Sequence, residues 1–188
     1  MTPLSIAHND IIAAVKSWLE KAVIGLNLCP FAKSVYVRER IRFVVSDATT
    51  TDELAHALMD ELSLLQAADP QQIDTTLLIH PQVLQDFADY NDFLGVADAI
   101  LEHLSLTGEL QLASFHPDYQ FADTDADDIT NYTNRAPYPI LHLLRETSIE
   151  TAIAGYPDPD SIYENNMETL RRLGLSGWQE LGIISTKN

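Results

Sequence analysis

Residues 75 to 81, Thr75-Thr76-Leu77-Leu78-Ile79-His80-Pro81, are the stretch on which the fold turns. The run TTLLI has no polar alternation, the pattern of a strand covered on both faces. Pro81 closes it, because a proline cannot donate to a strand ladder. Such a strand belongs in the middle of a sheet, between layers of helix.

Working outward, Arg40–Ser46 alternates, with Ile41, Phe43 and Val45 opposite Arg42 and Val44, as a strand with unlike faces does. Leu110–Phe115 alternates in the same way. Between the first two strands, Thr50 and Glu53 make a capping box, and Leu54, Leu58, Leu62 and Leu65 follow on one stripe as far as Asp69-Pro70. Between the second and third, Leu84, Phe87, Leu94, Ala97, Leu101 and Leu104 mark a long helix, weakened at Gly95 and ended before Gly108. Strand, helix, strand, helix, strand predicts a parallel sheet in the order 1-2-3 with right-handed crossovers and both helices on one face.

The other face falls to the ends of the chain. From Asn9 to Leu28, Ile11, Ile12, Val15, Trp18, Leu19, Ala22, Val23 and Leu26 recur at helical spacing, and Pro30 ends that helix. C-terminal helices are expected to begin near Pro139, to restart at the capping box of Thr147 with Glu150, and to start again at Ser161 with Glu164, stopping at Gly174. The expected class is α/β, one domain over residues 1–188 with a core of about 9–174 and a tail from 175, built on a small, about three-stranded, mainly parallel sheet with helices on both faces. The alternative is α+β, with an added antiparallel strand in Tyr119–Phe121 or near Leu181–Ser185.

Composition narrows the function. Against 11 Lys and Arg stand 28 Asp and Glu, a net charge of −17, so phosphate backbones and anionic membrane surfaces repel the chain. Neither nucleic acid nor membrane is an expected partner, and no window approaches the ∼18 apolar residues of a membrane span. The first twenty residues lack the basic, apolar and small-residue pattern of a signal peptide. The one cysteine, Cys29, has no internal disulfide partner, which fits the cytoplasm. A homo-oligomer is left open.

Chemistry-bearing residues concentrate between Ser114 and Glu146, a long irregular stretch of the kind that compact domains keep for function. Two strands leave the sheet through His-Pro, at His80-Pro81 and His116-Pro117. If the strands are neighbours, both imidazoles stand at the carboxyl rim, where open parallel sheets bind ligands. His116, Asp118 and His80 are the candidate acid–base residues, and Asn131, Asn134, Arg135, Tyr138 and His142 the candidate ligand-binding residues. Amides and a guanidinium beside a helix start suit a carboxylate or phosphate. His80, His116 and Asp118 are also the metal ligands if a metal binds, although no HExxH or paired CxxC supports one.

Asp123, Asp125 and Asp127 begin like a calcium loop, but Asp128 and Asn134 stand where that loop wants Gly and Glu. Cys29, at the end of a helix, reads first as a buried structural residue, with a thiol–imidazole pair to His80, His116 or His142 as its alternative. Arg145 and Glu146 read as an ordinary surface pair.

Four segments, VIGLNLCPFAK (23–33), IDTTLLIHPQVLQDFADYNDFL (73–94), ASFHPDYQFA (113–122) and NYTNRAPYPILHLLRE (131–146), resemble the bacterial DUF1415 family. The resemblance extends from about Trp18 to Gly174 and implies a bacterial protein of this length. It implies no activity, cofactor or catalytic residue. The residues themselves leave three readings: a small enzyme acting on an anionic molecule at the rim, a noncatalytic binding or oligomerisation module, and a metal-dependent hydrolase.

Overall fold

The computed structural model describes residues 3–183. Helix α1 (Pro3–Trp18) runs straight into a π-helical turn, Leu19–Ile24, and a short α2 (Ala32–Val37) leads to strand β1 (Ile41–Val45). Helix α3 (Thr51–Ala67), strand β2 (Thr75–Ile79), helix α4 (Phe87–His103) and strand β3 (Leu110–Phe115) follow. A 3-10 turn at Ile129–Thr133 precedes strand β4 (Ile140–Arg145), α5 (Glu146–Ala154) and α6 (Ser161–Glu180).

The four strands form one mixed sheet in the order β1-β2-β4-β3. β1 and β2 are parallel, and β4 runs antiparallel to both β2 and β3. The fold is therefore α/β with a four-stranded mixed sheet, and the mainly parallel, three-stranded order 1-2-3 is corrected. Its antiparallel member is Ile140–Arg145, the run expected to open a helix. A strand wins there because β2 and β3 leave a slot between them, and ILHLLR satisfies its backbone on both sides within it. His80 N–H donates to Pro139 O at 3.1 Å, carrying the ladder past the strand end. Tyr119–Phe121 and Leu181–Ile183 are not strands, and residues 184–185 lie outside the described residues.

β2 is buried throughout, as its sequence requires of an inner strand. On one face α3 and α4 cover it, packing Leu54, Leu58, Leu62, Leu65, Phe93 and Ala97 against Leu78, Leu141 and Leu143. Thr50 accepts from Glu53 N–H in the expected capping box, and Asp86 caps α4 through Ala88 and Asp89. On the other face, Val15, Trp18, Leu19, Ala22 and Val23 pack on Leu77, Ile79 and Ile140, with Trp178 of α6 against the same cluster. α6 continues past Gly174 through a kink, where φ is 67°, instead of stopping there.

The π-helical turn ends on Gly25, whose N–H reaches Glu20 O at 3.0 Å. A Cβ on Gly25 would stand 2.3 Å from Lys21 O. Gly25→Ala is expected to lower stability by about 1–3 kcal/mol, read as a shifted urea midpoint. An unchanged midpoint would mean that the turn relaxes freely.

Candidate functional site

The two His-Pro exits do converge, although β4 separates their strands. Both imidazoles are fully buried and flank the Tyr90 ring of α4, with centroids at 5.8 Å for His80 and 5.1 Å for His116. Tyr90 O–H donates to Ile140 O at 2.7 Å and accepts from Phe115 N–H at 3.1 Å, so it ties α4 to β3 and β4. His116 is committed at both nitrogens: Nε2 to Leu84 O at 3.1 Å, and Nδ1 to Asp118 N–H at 3.0 Å. The carbonyl must receive a proton and the N–H must donate one, which sets the neutral Nε2–H tautomer. His80 donates from Nδ1 to Val83 O at 3.0 Å, and burial pushes its pKa down to about 4. These contacts hold loops onto the sheet. Among the described residues no three His, Cys, Asp or Glu side chains gather as a metal would require.

The anion cluster is likewise occupied by its own loop. Asn131 Oδ1 accepts from Phe121 N–H and Thr124 O–H, and its Nδ2 donates to Asp125 O. Asn134 donates to Ser114 O. Arg135 donates to Tyr119 O and Ala126 O while its guanidinium lies 4.5 Å over the Tyr132 ring. Tyr138 packs with the α1 side of the core.

His142 is elsewhere. It sits in β4 with its side chain on the opposite face of the sheet from His80 and His116, because its strand alternates and Leu141 and Leu143 take the α3–α4 side. In register it lies between Leu77 of β2 and Ala113 of β3. An imidazole in the middle of such a row is costly unless it is paired or used. Its partner is Thr75, whose Oγ1 is 2.7 Å from His142 Nε2 and 2.5 Å from Leu143 O. The single hydroxyl proton must go to the carbonyl, so His142 donates from Nε2 and keeps a bare lone pair on Nδ1. Among the described residues Nδ1 has no hydrogen-bond partner. Burial holds the His142 pKa down to about 4, so the ring is neutral at neutral pH.

His142 lines a cleft of about 710 Å³ between the sheet and the wall made by the π-helical turn, α2 and α5. Trp18, Leu19, Val23, Phe31, Ile41, Leu77 and Phe115 give it an apolar surface. Arg38, Arg40 and Arg145 line it against a single carboxylate, Asp74, to which Ser148 O–H donates at 2.5 Å. A volume of this size, mostly apolar with a few placed polar groups, is that of a small-molecule site.

Cys29 lines the same cleft. Its residue neighbours the start of α2, not only the end of the first helix, and its carbonyl accepts from Ala32 N–H at 3.2 Å. Burial pushes the thiol pKa up. Arg145 is buried, not a surface partner of Glu146: its Nη2 donates to Leu65 O at 2.5 Å, Ala68 O at 2.8 Å and Ile73 O at 3.2 Å, capping the end of α3. Sequence reasoning missed the cleft as a whole. The one available signal was a polar His142 inside an apolar run.

Fold and cleft together define a layered α/β protein with a four-stranded mixed sheet and an apolar cleft beneath it. The chain belongs to the DUF1415 family, described as proteins of unknown function, whose family model matches residues 10–180. No curated protein and no solved structure matches it. Among the described residues no helix is long and apolar enough to cross a membrane.

Proposed function

We propose that this protein binds a small molecule with an apolar body and an anionic head, and that it does so in the cleft under β2, β4 and β3 and not at the histidine rim. The observation that carries the reading is His142, whose unpartnered Nδ1 is held in one tautomer on the wall of an apolar cleft. Arg38 and Arg40, which line the same cleft, supply the attraction for an anion in a chain whose net charge is −17. A ring whose pKa is about 4 stays neutral and weakly basic at neutral pH, so His142 Nδ1 is a hydrogen-bond acceptor for a donor group on the ligand.

The rim reading, with His116 as acid or base oriented by Asp118 beside His80, has weaker support, since both His116 nitrogens hold backbone groups. The metal-dependent variant lacks a gathered donor set among the described residues. A lone thiol suits a reducing compartment, and the bacterial cytoplasm is the location that goes with this reading.

Hexanoate, an apolar chain on a carboxylate, is the first probe. It is expected to raise the melting temperature in a concentration-dependent way, as any ligand of the native state does. Ala113→Leu, which fills the floor beside His142, should abolish the shift, and Arg38→Gln with Arg40→Gln should weaken it about tenfold in affinity. An identical shift in all three proteins would place the binding elsewhere.

A further inference from the structure

Sheet register sets how far the acceptor of the cleft stands from its cations. Phe43, Leu77, His142 and Ala113 form one row across β1, β2, β4 and β3. Arg40 precedes Phe43 by three residues and extends the ladder, its O accepting from Asp74 N–H at 2.9 Å, so it lies about 10 Å from the row along the strand direction. Its guanidinium donates to Gln71 at that end of the cleft and keeps further N–H groups for an anion. On the far side of the row Phe115 continues the apolar wall, with Trp18 edge-on to it at 5.3 Å.

From this arrangement we infer that the ligand of the cleft is a hydroxy acid, its anionic group held at Arg38 and Arg40 and its hydroxyl, about 10 Å away across an apolar spacer, donating to His142 Nδ1. The inference rests on the cleft being the ligand site, and adds which acids that site selects.

The Thr75 hydroxyl proton goes to Leu143 O, so Nε2–H faces Thr75 and the Nδ1 lone pair is what the ring offers a ligand. A plain alkyl acid that displaces water from the cleft leaves this lone pair without a donor, which weakens binding. A hydroxyl supplies the proton. An ammonium is repelled by Arg38, Arg40 and Arg145, against which the lining sets only Asp74. An amide brings a carbonyl that needs a donor of its own, and the side chains of Leu77 and Ala113, which flank His142 in the row, have none. Trp18, Phe31 and Phe115 suit an aromatic ring as the spacer. His142 is then the residue that determines specificity.

The probes are 3-phenylpropanoate, its para-hydroxy and para-methoxy derivatives and its ortho-hydroxy isomer, each titrated calorimetrically into the full chain. The para-hydroxy acid is expected to bind about tenfold more tightly than the unsubstituted acid. The methoxy acid has the oxygen but no proton, and the ortho hydroxyl lies too near the carboxylate to reach the His142 row, so neither should gain. His142→Phe keeps a ring of similar size without an acceptor, and should bind the unsubstituted and para-hydroxy acids equally. The inference is overturned if wild type binds those two equally, if the methoxy acid shares the gain, or if the preference persists in His142→Phe. The wild-type series decides the matter even if the variant does not fold. Binding of 3-phenylpropanoate with no preference for the hydroxyl would remove this inference and leave the cleft as the site, whereas the failure of every acid to bind would remove both.

Discussion

Acidification from pH 7 to 4.5 is expected to remove about 5 kcal/mol of stability through His80 and His142 together. Burial lowers both from the usual histidine value to about 4. A group with a depressed folded-state pKa is protonated first in the unfolded chain. The unfolded state therefore binds more protons between about pH 6.5 and 4, and stability falls as pH falls through that window, by about 1.4 kcal/mol per unit for each histidine. Above about pH 7.5 neither ring is charged in either state and the contribution is level. Carboxylates titrate in the same range, and relief of the −17 net charge opposes the loss. Comparison with His80→Gln and His142→Gln cancels those effects, because the carboxylates are common to all the proteins. Urea unfolding at half-unit pH steps should show each variant with a shallower slope than wild type. Parallel slopes would mean that the rings stay accessible to protons in the native state.

Arg145→Leu is expected to cost about 2–4 kcal/mol, from the loss of a donor to buried backbone carbonyls. Arg145 is 9% exposed, and it donates to carbonyls at Leu65, Ala68 and Ile73, where α3 ends without a capping side chain. Leucine fills the volume but takes the side-chain donor from the Ala68 and Ile73 oxygens, each a loss of about 1–3 kcal/mol, while Leu65 O keeps Ala68 N–H. Arg145→Lys, which keeps the charge but lacks the planar fork, should recover only part of it. The readout is the urea midpoint at constant slope. A loss below 1 kcal/mol would show that water replaces the guanidinium.

These two cases also mark where the sequence was legible. Elements set by local chemistry read correctly: Thr50 and Glu53 cap α3, the leucine stripe that follows packs inward, and TTLLI is an inner strand. The two histidine exits also meet on one face, around Tyr90. What was hidden depends on distant partners. ILHLLR is short and apolar, a pattern that helix and strand share. Only the slot between β2 and β3, set by pairings with residues 75–79 and 110–115, makes it a strand. Once it is a strand, alternation turns His142 toward the cleft and Leu141 and Leu143 toward α3 and α4. Asn131 and Arg135 looked like ligand donors because their side chains carry the right groups. Their loop uses those groups itself, which no spacing in the sequence reveals.

The most direct test of the cleft as the functional site is a titration of the isotope-labelled protein with hexanoate, followed by backbone, indole and imidazole NMR shifts. Perturbations centred on Trp18, Cys29, Ala113 and His142, with His142 Nδ1 moving and Nε2 still protonated, are the result expected. Perturbations confined to His80, His116 and the 118–135 loop would contradict it and return the site to the rim.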